Sequence, residues 1–349
     1  MTADRLPGLD VERVTAWITA NVEQVRAPIQ FSIISGGHSN ITYGARDDGG
    51  RRLVLRRPPL GNLPPGAHDV AREHKILAAL GPTSVPVAPV VGLCTDNEVT
   101  GAPFYVMDWV DGSVVSNPGV AQSALTTAEA RRRASEQVID VLVALHQIDI
   151  DAVGLGDLAR REGFLDRQLH RMIGVWERTK TREVALVADL HTRLATDPPR
   201  QVGVGIVHND YRLGNLMLTD DGTVAAVLDW ELCTLGDVLA DVGYLLNNWQ
   251  LPEDDEPHVW MEVPPTMAGG FSSHDELIAR YVAKTGADIA DIEYYRAFSH
   301  WRMAIIAEGM KRRYESATMA DTNVDFGHLT RRVLDMLGLA DRHLTASGR

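Results

Sequence analysis

Cysteine is nearly absent. Cys94 and Cys233 are the only two in 349 residues, too few for a disulfide framework or a multi-thiolate zinc site. They fit a reducing compartment and the packing of small buried hydrophobes. No apolar run is long enough to span a bilayer. The opening stretch, MTADRLPGLDVERV, lacks the basic start and apolar run of a signal peptide. A soluble cytoplasmic protein, with no membrane as partner, is therefore expected. Basic charge is also in deficit, 34 Lys and Arg against 47 Asp and Glu, for a formal net charge of -13. That balance disfavours nucleic acid and anionic membrane as main partners, while leaving room for a local basic pocket that holds phosphates. No internal repeat and no low-complexity segment is present.

What remains is an ordinary globular composition, 45% hydrophobic and 23% charged. Its length suffices for one large domain or for two lobes sharing a cleft. Asp10 reads as the N-cap of a helix running to about Val25, with Val11, Val14, Trp17 and Ile18 on one face. Strand signals follow at Gln30 to Ser35, Ile41 to Arg46 and Arg52 to Arg57, the last two joined by the turn Asp47-Asp48-Gly49-Gly50. A helix from His68 to Leu80, a Pro-punctuated stretch and the apolar strand Phe104 to Met107 complete a small α+β lobe. After Asp111-Gly112 the pattern turns helical, first in a long amphipathic segment from Thr126 to His146. Two short strand-like runs, Asn215 to Thr219 and Thr223 to Asp229, interrupt it before a helical tail from Asp275 to about Leu344. The expected organisation is a first lobe over residues 1–107, a hinge at 108–113 and a second lobe over 114–349.

The most informative segment is Val207-His208-Asn209-Asp210-Tyr211-Arg212-Leu213-Gly214-Asn215, followed by Val227-Leu228-Asp229-Trp230-Glu231. A loop and a strand hairpin thus carry Asp210 and Asn215 at the start and Asp229 at the end. Two oxygen ligands from separate loops, Asn215 and Asp229, suit magnesium, which takes one or two protein ligands beside phosphate oxygens and waters. Asp210 could then accept a proton from an attacking hydroxyl. The plain alternative is a turn in which Asx side chains cap their own backbone.

The spacing His-x-Asp-x-x-x-x-Asn followed by Asp resembles the catalytic loop and metal-binding Asp of the protein-kinase-like superfamily. Within it, the chain resembles the aminoglycoside phosphotransferase-like family, nearest the subgroup also found fused to acyl-CoA dehydrogenases. The resemblance is carried by Ser35-Gly36-Gly37-His38-Ser39-Asn40, by Val54 through Pro59, by Tyr105 through Gly112 and by His208 through Asp241. It implies an α+β, bilobal, protein-kinase-like fold, with a small antiparallel-sheet lobe carrying one helix and a larger, mainly helical lobe. It implies ATP and Mg2+ as cofactors, Asp210 as catalytic base, and Asn215 and Asp229 as metal ligands. The nucleotide site it implies comprises Gly36, Gly37, Ser39, Val54, Arg56, Glu73, Asp108 and Val110. His208, Asp237 and Asp241 are implied as braces of the catalytic loop.

Strand periodicity puts Val54 and Arg56 on one face, with Arg56 where kinases carry a phosphate-binding Lys, and Arg57 on the other. Glu73 lies on the apolar stripe Val70, Leu77 and Leu80. A carboxylate there needs a cation, and the resemblance makes Arg56 its partner, although a Glu at the stripe's edge could instead reach water. Only eight positions separate Asp229 from Asp237, so there is no room for a peptide-holding activation segment. A small hydroxyl-bearing acceptor is expected. For its wall the tail offers the acidic run Glu253-Asp254-Asp255-Glu256, and a helix with Trp301, Arg302, Glu308 and Arg312. The acidic run would suit a polycationic aminoglycoside or be a solvated loop. Arg302 and Arg312 would suit a hydroxy acid or hydroxyacyl thioester. A regulatory pseudokinase remains the alternative of another class, supported by Arg in the Lys position.

Overall fold

The computed structural model describes residues 6–35, 40–61, 68–255, 263–315 and 326–349. Two compact units divide the chain: Met1–Asp111 with Ala225–Glu231, and Gly112–Val224 with Leu232–Arg349. The first break falls inside the expected 108–113 hinge. Sequence patterning did not anticipate that 225–231 returns to the first unit.

The first unit is built on β1 (Ile29–Ser35), β2 (Ile41–Asp47), β3 (Arg52–Arg57), β4 (Val90–Cys94) and β5 (Phe104–Asp108), in the order β1-β2-β3-β5-β4. Every recorded pairing within that sheet is antiparallel. The β2–β3 hairpin closes at Asp47, whose carboxylate accepts the backbone N–H groups of Arg26 and Arg51. Helix α1 (Val11–Asn21) begins where Asp10 accepts the Arg13 N–H. It stops short of Val25, at Asn21. Val14 and Ile18 of α1 join Ile41, Tyr43, Leu53, Leu55, Phe104 and Val106 in one core, so α1 covers one sheet face. Helix α2 (Val70–Leu80) starts two residues later than expected, because His68 has a left-handed φ of 57° and Asp69 is the N-cap. It buries Val70, Glu73, Ile76, Leu77 and Leu80. The Pro-punctuated stretch ends in β4, and a short helix α3 (Asn97–Thr100) follows, neither of which the sequence pattern revealed.

The second unit opens with β6 (Ser113–Val114), α4 (Pro118–Ala124), α5 (Ala128–His146), α6 (Phe164–Thr179) and α7 (Ala185–Thr196). Next come β7 (Gly205–Val207), β8 (Leu216–Leu218) and β9 (Val224–Val227), along which the chain passes into the first unit. β10 (Thr234–Gly236) pairs antiparallel with β7 and leads into α8 (Leu239–Asn247). The unit ends in α9 (His274–Thr285), α10 (Ile292–Glu315) and α11 (Phe326–Ala346). Residues of α8 and α10 are buried around most of their circumference, which leaves little amphipathic contrast to read from sequence. The two helices approach closely at Gly243, where a Cβ would stand 2.8 Å from the Tyr295 backbone carbon. Only glycine fits that contact.

Candidate active site

In the second unit the loop between β7 and β8 is held by one buried carboxylate, with a second beside it. Asp241, in the first turn of α8, accepts the N–H of His208 at 2.6 Å and of Asn209 at 2.7 Å. Asp237 accepts the Leu239 and Val202 N–H groups and the Tyr295 hydroxyl, and burial raises its proton affinity. His146 lies buried between Tyr281, at 2.9 Å, and Asp241, at 3.5 Å. The Asp210 N–H donates to Nδ1 of the buried His208, and the Tyr211 hydroxyl reaches the Val138 carbonyl at 2.8 Å.

Asn209 has φ +67°, a left-handed conformation that Asn tolerates better than most residues. Each of its polar groups is engaged. Its N–H goes to Asp241, its Nδ2 to the Leu232 carbonyl at 2.9 Å, and its Oδ1 and backbone oxygen each accept from Arg302 at 2.7 Å. This arrangement presents Asp210, whose side chain is 23% exposed. Asp210 Oδ2 accepts from Asn215 Nδ2 at 2.6 Å, and Oδ1 accepts from the Tyr244 hydroxyl. Burial first, and the facing Asp210 carboxylate second, hold that hydroxyl well above the usual phenol range, so it stays a donor. Arg212 Nε lies 3.5 Å from the same Oδ1. Asn215 also gives its Nδ2 to the Asp210 backbone oxygen at 2.8 Å, so Oδ1 is the atom it has for a metal.

The first unit carries a second constellation. Arg56 Nε lies 3.2 Å from Glu73 Oε2, and Arg56 Nη2 donates to Asp229 Oδ1 at 2.6 Å. Burial opposes the guanidinium charge, but Glu73, Tyr105 and Asp229 together raise its proton affinity above the ordinary arginine value. Glu73 is 2% exposed and also accepts from Asn40 Nδ2 and, at 3.1 Å, from the Tyr105 hydroxyl. Burial pushes its carboxyl up to about 7, against the pull of Arg56. Asp229 has φ +62°, a strained position of the kind that collects at functional sites. Val54 pairs with Gly44, and Gly44 with Ser32, so a row of small side chains runs along the Arg56 face of the sheet as far as Met107. A cavity of about 300 Å³ opens on this face beside Gly44, with Arg52 and Trp109 at its rim. Asp108 gives its carboxylate to Arg51 at 2.7 Å and its N–H to the Pro89 carbonyl at 2.8 Å, while Val110 is half-buried. Gly36, Gly37 and Ser39 lie outside the described residues.

Residues 30–263 match the phosphotransferase enzyme family. The chain belongs to that family. A Ralstonia eutropha structure provisionally assigned as an aminoglycoside phosphotransferase superimposes with a TM-score of 0.80 at 29% identity, covering 97% of this chain and 98% of that one. The aminoglycoside phosphotransferase APH(4)-Ia superimposes with a TM-score of 0.62 at 15% identity, over 97% and 99% of the two chains, a likeness of fold. Both place the phosphotransferase in the kinase-like α+β class. Acyl-CoA dehydrogenase family member 10 of Mus musculus is 32% identical over 88% of this chain, and member 11 of Gallus gallus 30% identical over 80%. This chain spans only 29% and 36% of those relatives' lengths. A small-molecule phosphotransferase is what family and fold together support.

Within this phosphotransferase the tail residues expected at an acceptor wall have other tasks. Arg302 is buried and holds Asn209. Trp301 is buried with its indole N–H on the Val187 carbonyl, and buried Glu308 accepts the Thr181 N–H at 3.1 Å. Arg312 donates to the Arg178 carbonyl. In the acidic run, Asp254 closes a turn onto the Leu251 N–H, and Glu256 lies outside the described residues. Arg57 faces the other side of β3, as the alternation requires, and its guanidinium reaches the Gly8 and Thr100 carbonyls. Tyr244 escaped the sequence reading, and Asn40 and Tyr105 entered it only within motif segments, with no role of their own. For Tyr244 a signal existed: it lies three residues after Asp241, so one face of α8 serves both the loop backbone and the Asp210 side chain.

Proposed function

We propose that this chain transfers the γ-phosphate of ATP, with magnesium, to a hydroxyl of a small molecule, with Asp210 as general base. The observation that carries the reading is the Asp210 carboxylate, partly exposed and gripped at each oxygen by a different side chain. The donors fit the cofactor. Asn215 Oδ1 and the Asp229 oxygen that Arg56 leaves are hard ligands, and magnesium favours a few such oxygens beside phosphates. Bound magnesium neutralises charge that develops on the phosphates. Arg56 would hold the α- and β-phosphates, with Glu73 and Asn40 behind it. Val54 and Gly44 leave a flat surface for the base, flanked by Asp108 and Val110. Asp210 takes the proton of the acceptor hydroxyl as the acceptor oxygen bonds to the γ-phosphorus, the bond from that phosphorus to the β-bridging oxygen breaks, and ADP departs.

For the acceptor we favour a hydroxy acid or hydroxyacyl thioester over an antibiotic. Arg302 and Arg312 no longer support this, since both are occupied elsewhere. The support is the acyl-CoA dehydrogenase names of the curated relatives. ADP release from magnesium-ATP should be followed across hydroxy acids, their coenzyme A thioesters, amino alcohols and aminoglycosides. Stimulation by the first two classes, lost in Asp210→Asn, is the expected result. Stimulation by aminoglycosides alone would overturn the acceptor class. ATP binding without ADP release under any condition would favour a pseudokinase.

A further inference from the structure

We propose that Tyr244 is a positioning residue for the base: its hydroxyl selects the rotamer of Asp210, and Arg302 supports both ends of that contact. The inference rests on Asp210 being the base. An aspartate carboxylate turns easily about its last side-chain bond, since that torsion has broad wells. Here two donors from different elements define its plane, Asn215 on Oδ2 and Tyr244 on Oδ1. Each oxygen retains a further lone pair for an incoming proton. Tyr244 is 3% exposed, so it acts through Asp210 and not on the acceptor.

A competitor makes the contact consequential. Arg212 Nε is already 3.5 Å from the oxygen that Tyr244 occupies. Without the phenol, nothing on Oδ1 opposes the pull of the ion pair that Arg212 already makes, and a closer pair both turns the carboxylate and weakens it as a base. Arg302 prevents drift from below. Its guanidinium carbon lies 5.6 Å from the Tyr244 ring centroid, and its nitrogens clamp the Asn209 side chain and backbone. One buried cation thereby fixes the tyrosine and the peptide just ahead of the base.

Tyr244→Phe keeps the ring against Arg302 and removes only the hydroxyl, so its melting temperature should stay near that of the parent. ADP release from magnesium-ATP, with water and with the most stimulating acceptor as probes, should show kcat reduced about ten- to a hundredfold. KM for ATP should hold within about twofold, because binding and positioning are separate. In an Asp210→Asn background the same substitution should produce no further loss of the residual rate, since the group it positions is gone. A fold-wide defect would instead raise KM and lower both kcat and melting temperature, in both backgrounds. Wild-type kcat in Tyr244→Phe alongside an inactive Asp210→Asn would overturn the positioning role alone. An Asp210→Asn protein with full activity would overturn the base assignment, and this inference with it.

Discussion

Removing Arg56 should destabilise the protein by an amount that depends on pH. Glu73 is 2% exposed and shares one oxygen between Arg56 and Tyr105, the other going to Asn40. In the folded chain its carboxyl is raised from 4.5 to about 7, burial outweighing the guanidinium. A carboxyl raised on folding lends stability that is complete below its unfolded value and declines as pH rises through the folded one. In the parent that decline ends near pH 7. In Arg56→Ala the cation is gone, the folded value climbs further, and the decline continues. The gap between the two proteins should therefore be flat below about pH 7 and widen by about 1.4 kcal/mol per pH unit above it, approaching 3 kcal/mol by about pH 9. Urea unfolding of both proteins at half-unit intervals from about pH 6 to 9 measures this directly. In a Glu73→Gln background the slope should vanish. A gap that is constant with pH, or that still widens in the Gln background, would refute the reasoning.

Asp229→Ala should remove the magnesium dependence of ATP binding, checked by calorimetric titration with and without the metal; equal dependence in mutant and parent would put the metal elsewhere. Arg57→Ala should leave ATP affinity within about twofold but lower stability by about 1–3 kcal/mol, because a buried guanidinium bonded to three carbonyls is lost. Chemical unfolding beside an ATP titration separates these effects. Asp241→Asn should cost about 2–4 kcal/mol and most of the activity, since the amide NH2 that replaces one oxygen is a donor and would face a loop N–H. Retained stability would show that the loop is fastened elsewhere.

The face that Arg56 presents and the buried setting of Glu73 could be anticipated because each rests on a local period, whereas their pairing was implied by the family resemblance. Alternation along β3 assigned the faces of Arg56 and Arg57, and a helical stripe placed Glu73 where a carboxylate requires a partner. Asp241 was legible as a brace of the catalytic loop through its resemblance to a known motif, whereas Asp237 ties Val202, Leu239 and Tyr295 and not the loop itself. Arg302 was misjudged for a physical reason. On a helix buried around most of its surface, periodicity no longer separates inward from outward residues, and an arginine on such a helix reads as solvent-facing by default. The roles of Asn40 and Tyr105 were hidden because a hydrogen bond between distant segments leaves no periodic trace.

The return of Ala225–Glu231 to the first unit bears on how this protein can be dissected. Asp229 folds with the sheet that carries Arg56, although in sequence it lies between Asn215 and Asp237. A fragment ending at Asp111 would possess Arg56 and Glu73 but lack the carboxylate that binds Nη2. A fragment starting at Gly112 would hold that carboxylate without its guanidinium. Neither half can be expressed from one uninterrupted stretch of the gene. An independent nucleotide-binding fragment would need residues 225–231 grafted after residue 111 through a designed connection.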